Sequence, residues 1–442
     1  MMNHARVKAL KGSGKTTSKK AIKSGRASGT ATPGGSPSPS LLLTSPTHSA
    51  VHSRVASDVS DSEDDNDFEF DDMMSSVHSG DSGAATPDEG AREFDALALI
   101  DNLQDKKHNN SDIREQLLDM YVRVLRTKYN AETHYWLDPA AAALVELFLK
   151  EADRGATARE RLLSLQAYCL TVGTAEDLDM FESSERALKQ ILVDDDDDEC
   201  KVNAVYALCM AVLYAGGLEE AALEVMQYLV DIVQSDGESV ESHNNASVVS
   251  AAIIGWSFVA SHVDDFSDLA DTAMDAFVDQ LDSSDTNIQC NAGQSIALIF
   301  ESSRNHEQET GEPFQLPYDP QRLIGRISEL AKLSSKSVAR KQRRDLRESL
   351  VSVVTSLERG VGPYYSTALS DDGQAEYGYR CRLRLGHHST RIDTWSLFSR
   401  VNMMKVLFRG GLQHHVFVNP VVIECLEDAH WDESQHPAGR KR

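Results

Sequence analysis

Clustered cysteines and long apolar runs are both scarce in this chain, and each shortage removes a class of protein. The six cysteines (Cys169, Cys200, Cys209, Cys290, Cys381 and Cys425) lie far apart, with no C-x-x-C pair and no histidine at zinc-finger spacing. A disulfide framework and a zinc site are therefore not expected. Most of these thiols sit in apolar patterns, where cysteine behaves as a small hydrophobe. The longest apolar stretch, Ala246 to Val263, is broken by Ser247, Ser250, Gly255, Ser257, Ser261 and His262, so it reads as a buried helix and not a membrane span. The basic N-terminal segment is not followed by an apolar core, so no secretory signal is read and an intracellular, membrane-free protein is expected.

Catalytic signatures are equally thin. Gly12 to Thr16 resembles the end of a phosphate-cradling loop, but Ala9 stands where the first glycine belongs, and neither a strand before it nor an apolar helix after it is legible. Gly293-Gln294-Ser295-Ile296-Ala297 lacks the last glycine of a nucleophile elbow. His306-Glu307 lacks a second histidine, and the pairs His387-His388 and His414-His415 have no carboxylate or cysteine at ligand spacing. These histidines are read as loop-capping groups, with phosphate contact the alternative. The expectation is a protein that is not an enzyme and takes no cofactor, metal or small-molecule substrate.

Residues 1–92 have too few aliphatic residues to build a core and are read as a disordered head. Eight Lys or Arg and no acid fall in residues 1–26, whereas Asp58 to Asp72 holds nine carboxylates. Ser60 and Ser62 each have an acid three residues on, which makes them candidate phosphosites. Thr32, Ser36, Ser38, Ser45 and Thr86 each precede proline. Such charge asymmetry suits a tail that meets partners or is switched by modification.

From residue 93 to 335 the apolar period is helical. Small-residue helices recur at Val202 to Leu213, Val248 to Val259 and Ile288 to Ile299; aligning Ala204, Ala251 and Ala292 gives steps of 47 and 41 residues, and Arg161 to Gly173 fits one step earlier. That spacing is typical of HEAT and armadillo arrays, where each helix pair buries its apolar face by stacking on its neighbours. Amphipathic helices such as Glu219 to Val233 and Asp265 to Leu281 alternate with them. The acidic run Asp194 to Glu199 reads as a solvated loop favoured by the following helix N-terminus. The fold class expected is an all-α, HEAT/armadillo-like α-solenoid with a small α+β C-terminal region.

That region, residues 336–430 with a short tail at 431–442, gathers positive charge within a chain of net charge -25. Between Gln321 and Ser349 nine basic residues face Glu329, Asp345 and Glu348, giving +6. Between Arg380 and Arg409 seven face only Asp393, also +6. Arg340 to Arg359 reads as a helix with Leu346, Leu350, Val353 and Leu357 inward and Arg340, Arg344 and Arg347 on an adjoining face. Tyr377 to Leu385 alternates, so one strand is expected to send Tyr377, Tyr379, Cys381, Leu383 and Leu385 inward and Arg380, Arg382 and Arg384 outward. A turn at Gly386 to Ser389 and a return strand from Thr390 to Trp395 complete a hairpin. A helix from about residue 396 to 408 follows, and Asn419-Pro420 starts a last short one. Local positive excess on an acidic background marks a face for an anionic partner, phosphate above all. The candidate phosphate-binding residues are Arg340, Lys341, Arg343, Arg344, Arg347, Arg380, Arg382, Arg384 and Arg391; the plain alternative is a solvated or intramolecularly paired face.

The segment Leu99-Ile-Asp-Asn-Leu-Gln-Asp-Lys-Lys107, Arg123-Val-Leu-Arg-Thr-Lys-Tyr129, Arg340 to Leu350, Trp395, Gly410-Gly-Leu-Gln-His-His415 and Asn419 together resemble the interferon-related developmental regulator family over about residues 94–427. The resemblance implies a non-enzymatic helical-repeat regulator of gene expression, linked both to translationally inactive ribosomes and to chromatin-modifying complexes. Lacking the long basic C-terminal extension of animal members, the chain resembles a fungal or other non-animal one. Two functions follow. One is binding to ribosomes or structured RNA through the basic C-terminal face in the cytoplasm. The other is a nuclear scaffold, with Lys19 to Arg26 or Arg340 to Arg344 as import signals and a protein complex held on the concave surface of the helical array.

Overall fold

The computed structural model describes residues 95–105, 110–332, 339–369 and 375–433, and the backbone of Phe68–Glu69 (β1). The head at 1–92, with Ser60 and Ser62, otherwise lies outside the described residues.

Twelve helices pair into six hairpins: α1 (Ala96–Gln104) with α2 (Ser111–Thr127), α3 (Thr133–Arg154) with α4 (Ala158–Val172), α5 (Phe181–Asp194) with α6 (Asp198–Tyr214), α7 (Glu219–Gln234) with α8 (Ala246–Ala260), α9 (Ser267–Gln280) with α10 (Thr286–Thr310), and α11 (Pro320–Lys332) with α12 (Arg340–Arg359). The second helix of each hairpin packs on the second helix of the next, so α2, α4, α6, α8, α10 and α12 form one continuous row. The expected α-solenoid is thus present, and the aligned alanines Ala204, Ala251 and Ala292 occupy equivalent buried places in α6, α8 and α10.

Close approach within that row depends on small residues. A Cβ on Gly255 of α8 would lie 2.7 Å from the Cys209 sulfur of α6, so only glycine admits this spacing. The row is also tied at its starts: Asn110, Thr157, Asp197, Asn245 and Asp285 each cap their helix by accepting a backbone N–H through the side chain. Such a cap contributes about 1 kcal/mol. Asp197 belongs to the acidic run at 194–199, and Asp195 beside it takes Arg161 in a two-pronged ion pair at 2.7 and 3.0 Å. The run, expected as a loop, spans the end of α5, a three-residue turn at 195–197 and the first turn of α6, where its acids favour the helix N-terminus.

Helices α4, α6 and α8 are buried on nearly every side, whereas α7 buries a stripe and exposes Glu219, Glu220, Glu224 and Asp231. A helix apolar all round must be covered all round. The cover is α13 (Trp395–Phe408), which lies on α4, α8 and α10, continued by a 3-10 turn at Arg409–His414 against α2. The row is therefore the middle layer of three, with its free face taken by the chain's own C-terminal helix.

The remaining C-terminal elements are α14 (Pro420–Cys425), capped by Asn419, and strands β2 (Tyr365–Leu369), β3 (Glu376–Tyr379), β4 (Cys381–Leu385), β5 (His388–Arg391) and β6 (Trp431–Glu433). One sheet has the order β1-β4-β5-β6; β2 and β3 form a separate pair. The single strand expected over 377–385 is two strands. Gly378 takes φ +72, the ladder breaks at Arg380, and Tyr377 points outward at 52% exposure. Cys381, Leu383 and Leu385 are inward as expected. Trp431–Glu433, read as tail, adds the strand β6.

Candidate functional site: two basic clusters

The first cluster sits on α12. Leu346, Leu350 and Val353 are buried, with α12 packed on α10; a Cβ on Gly293 of α10 would come within 3.2 Å of the Leu350 side chain. This seating turns Arg340, Lys341, Arg344 and Arg347 to solvent and leaves Arg343 half-buried. Arg344 pairs with Glu348 at 2.7 Å, an exposed i,i+4 bridge of small value. Unlike the other helices of its row, α12 starts at Ala339 with no side-chain cap. Its first amides and its positive dipole end lie where the cations gather, an arrangement that costs free energy in the absence of an anion.

The second cluster sits on the β4–β5 hairpin. Register pairs Arg382 with Arg391, Leu383 with Thr390 and Arg384 with Ser389. Because facing residues share a side of the sheet, Arg382, Arg384 and Arg391 lie on one face, opposite the buried Cys381, Leu383 and Leu385. Arg384 and Arg391 are exposed and Arg382 is half-buried. Like charges directly across a ladder repel, so the Arg382–Arg391 pair concentrates positive potential. Arg380 falls between β3 and β4 and does not share the alternation.

The buried faces of α12 and β4 flank one side chain. Tyr364 lies near Ser349 of α12, Cys290 of α10 and Cys381 of β4, and burial pushes its phenol well above its ordinary range. Its N–H donates to Ser352 at 2.7 Å. Tyr364 and Trp395 are core residues at 8% and 0% exposure, so neither ring is open to stack on a base. Tyr365 packs edge-on to Tyr379 at 5.0 Å.

Formal charge in the sequence windows overstates what is displayed. Arg326 pairs with Asp282 at 2.9 Å, and Arg400 donates through Nε to the Ser261 carbonyl at 3.1 Å and through Nη1 to Asp428 at 3.2 Å. His415 is wholly buried, stacked on Tyr129 at 4.6 Å and against Phe408 at 4.1 Å, and its Nε2 lies 3.3 Å from the Arg126 carbonyl in the last turn of α2, so its ring faces the core and the end of that helix. Ser295 is buried, bonded to the Ser257 hydroxyl at 2.7 Å and donating to the Asn291 carbonyl at 2.9 Å. Among the described residues no group of three metal-ligating side chains occurs, and no helix is long and apolar enough to cross a membrane.

A family model described as "Interferon-related developmental regulator (IFRD)" matches residues 57–358. The chain belongs to that family. As an interferon-related developmental regulator it is similar to an uncharacterized protein of Schizosaccharomyces pombe (strain 972 / ATCC 24843), 24% identical over 336 residues that cover 72% of this chain and 70% of that one. A crystal structure of an engineered protein overlaps 58% of this chain and 96% of its own, at 15% identity and a TM-score of 0.35. The family match starts at Ser57, just before the acidic stretch, and stops at Glu358, so it takes in the α12 cluster and leaves the β4–β5 cluster beyond its end.

Proposed function

We propose that this interferon-related developmental regulator is a non-catalytic cytoplasmic protein that docks on ribosomes or structured RNA and keeps translation silent. The observation that carries this reading is the start of α12. Arg340, Lys341, Arg343, Arg344 and Arg347 gather over the first two turns of α12, whose N-terminus has no side-chain cap, so side-chain charge and helix dipole there both favour an anion. Arg382, Arg384 and Arg391 on the hairpin add a second set of phosphate contacts, and contacts of this kind position a protein on RNA without reading sequence. The acidic remainder of the surface orients the molecule by repelling the same polyanion elsewhere. Regulation through the layered helical array is then a matter of occupying a surface, with no chemical step.

The nuclear alternative asks for a protein partner on the concave surface of the helical array. α13 occupies the face of α4, α8 and α10 that it packs on, so such a partner would need a part of the array that α13 leaves open.

Co-sedimentation with purified ribosomes over a salt series tests the proposal. Each neutralised phosphate contributes roughly 0.7 to 0.9 to the log-log slope. Replacing Arg340, Arg343, Arg344 and Arg347 by alanine should lower that slope by about 3. Binding that is indifferent to salt, or intact in the fourfold variant, rejects the assignment.

A further inference from the structure

A sheet of β4, β5 and β6 alone would end on β4, leaving one side of Cys381–Leu385 with unpaired backbone N–H and C=O groups. Exposed edges of this kind recruit another strand unless they are covered. Here β1 covers it. Phe68 pairs with Cys381 and Glu69 with Arg382, in parallel, across more than 300 residues of sequence.

The sequence around β1 suits this place. Residues 65–72 read Asp-Asn-Asp-Phe-Glu-Phe-Asp-Asp, five carboxylates with no basic residue. Phe68 and Phe70 are the only aromatic residues in the first 92 positions, and they bracket Glu69 in the apolar–polar alternation of a strand. By backbone register Glu69 stands opposite Arg382, and the β4–β5 register sets Arg382 opposite Arg391; an acid opposite an arginine is the favourable cross-strand combination. The family match also starts before this segment and not at the first helix.

We propose that the free edge of β4 is a strand-addition site whose resident is the chain's own acidic segment 65–72, and that this segment competes with phosphate for the arginine face of the β4–β5 hairpin. Main-chain pairing at Phe68–Glu69 supplies the anchor, as in peptide recognition by β-augmentation. The flanking carboxylates supply a mimic of the phosphate backbone. A two-residue strand is a short anchor, so a long polyanion can displace it. The competition half of the inference rests on the RNA-binding reading; the docking half does not.

Hydrogen exchange on the full-length chain tests the docking. In the variant Phe68→Pro, which removes an N–H and disfavours pairing, backbone amides in 381–385 should exchange at least about tenfold faster than in the wild type. Those of α12 at 346–357 should keep their rates, which shows that the fold is intact. A synthetic peptide of residues 65–72 added to that variant should restore the protection, and a shuffled peptide of the same composition should not. Unchanged exchange at 381–385, or equal rescue by the shuffled peptide, overturns the strand-addition site whatever RNA does.

Competition is read on the variant carrying Asp65→Asn, Asp67→Asn, Glu69→Gln, Asp71→Asn and Asp72→Asn, titrated with a structured RNA hairpin. Affinity should rise about tenfold over the wild type at low salt. Equal affinity overturns the competition. If neither form binds RNA while the exchange result holds, the docking site stands and the RNA-binding reading falls.

Discussion

The carboxylate of Glu301, buried in α10, accepts the backbone N–H of Trp395 at 2.9 Å, and its second oxygen accepts that of Ser396 at the same distance. A side chain of the helical row thus holds the first turn of the covering helix from 94 residues away. Trp395 completes the joint by donating its indole N–H to Ser356 of α12 at 3.0 Å.

Glu301→Ala should therefore loosen α13 from the row. Two buried donors lose a charged acceptor, a change that costs about 3 kcal/mol. Glu301→Gln should cost less, since an amide oxygen still serves one N–H. Urea denaturation followed by tryptophan fluorescence measures both, and equal midpoints for Glu301→Ala and wild type would contradict this account.

Gly411 is a second joint. A Cβ there would stand 2.0 Å from the Arg126 carbonyl oxygen of α2, which is closer than any real contact. Gly411→Ala must push the 3-10 turn off α2 and should lower stability by about 2 kcal/mol or more. Gly410→Ala is the control, because nothing lies within 4 Å of its added Cβ. Thermal melts of the pair should differ; matching curves would refute the contact.

Acid should weaken the fold in a defined window. Burial, with Arg400 nearby, pushes the imidazole of His262 down from 6.5 to about 3; burial pushes that of His415 to about 4. Above pH 6.5 both are neutral whether the chain is folded or not, so neither affects stability there. As pH falls below 6.5 the unfolded chain takes up protons that the folded one refuses. Stability then drops until pH reaches about 4 for His415 and about 3 for His262. Glu301 acts in the opposite sense, because burial raises its pKa and protonation favours the folded state. The urea midpoint should fall from pH 6.5 to 4.5, and His415→Gln should flatten the fall; a midpoint constant over this range would count against the buried neutral histidines.

The thiols should be silent in the native state. Cys169, Cys381 and Cys425 are buried and burial pushes each up to about 12, so the reactive thiolate is suppressed. Mixing the native chain with a disulfide reagent should give slow labelling, and denaturant should release all six cysteines at once. Fast native labelling of any of these three would show the core to be open there.

Much of the site is legible in the sequence. Leu346, Leu350 and Val353 repeat at helical spacing, so Arg340, Arg344 and Arg347 had to share the outer face of α12. Cys381, Leu383 and Leu385 alternate, which sent Arg382 and Arg384 to the other side. Arg380 was misplaced because Gly378 turns the backbone through positive φ, and a glycine in a strand pattern does not announce whether it bends. Arg400 counted as free charge in the sequence and is spent on the Ser261 carbonyl and Asp428 in the fold.

By itself the sequence determined the paired helices, their repeat spacing, their caps and the faces that carry charge, since periodicity and capping act within a few residues of the chain. Only the tertiary structure decided that α13 covers the row, that Glu301 holds its first turn, and that Phe68–Glu69 pairs with Cys381–Arg382. Those contacts join segments tens to hundreds of residues apart. Their free energy comes from burial and pairing that exist only once both partners are in place, so neither segment carries a local pattern that names the other.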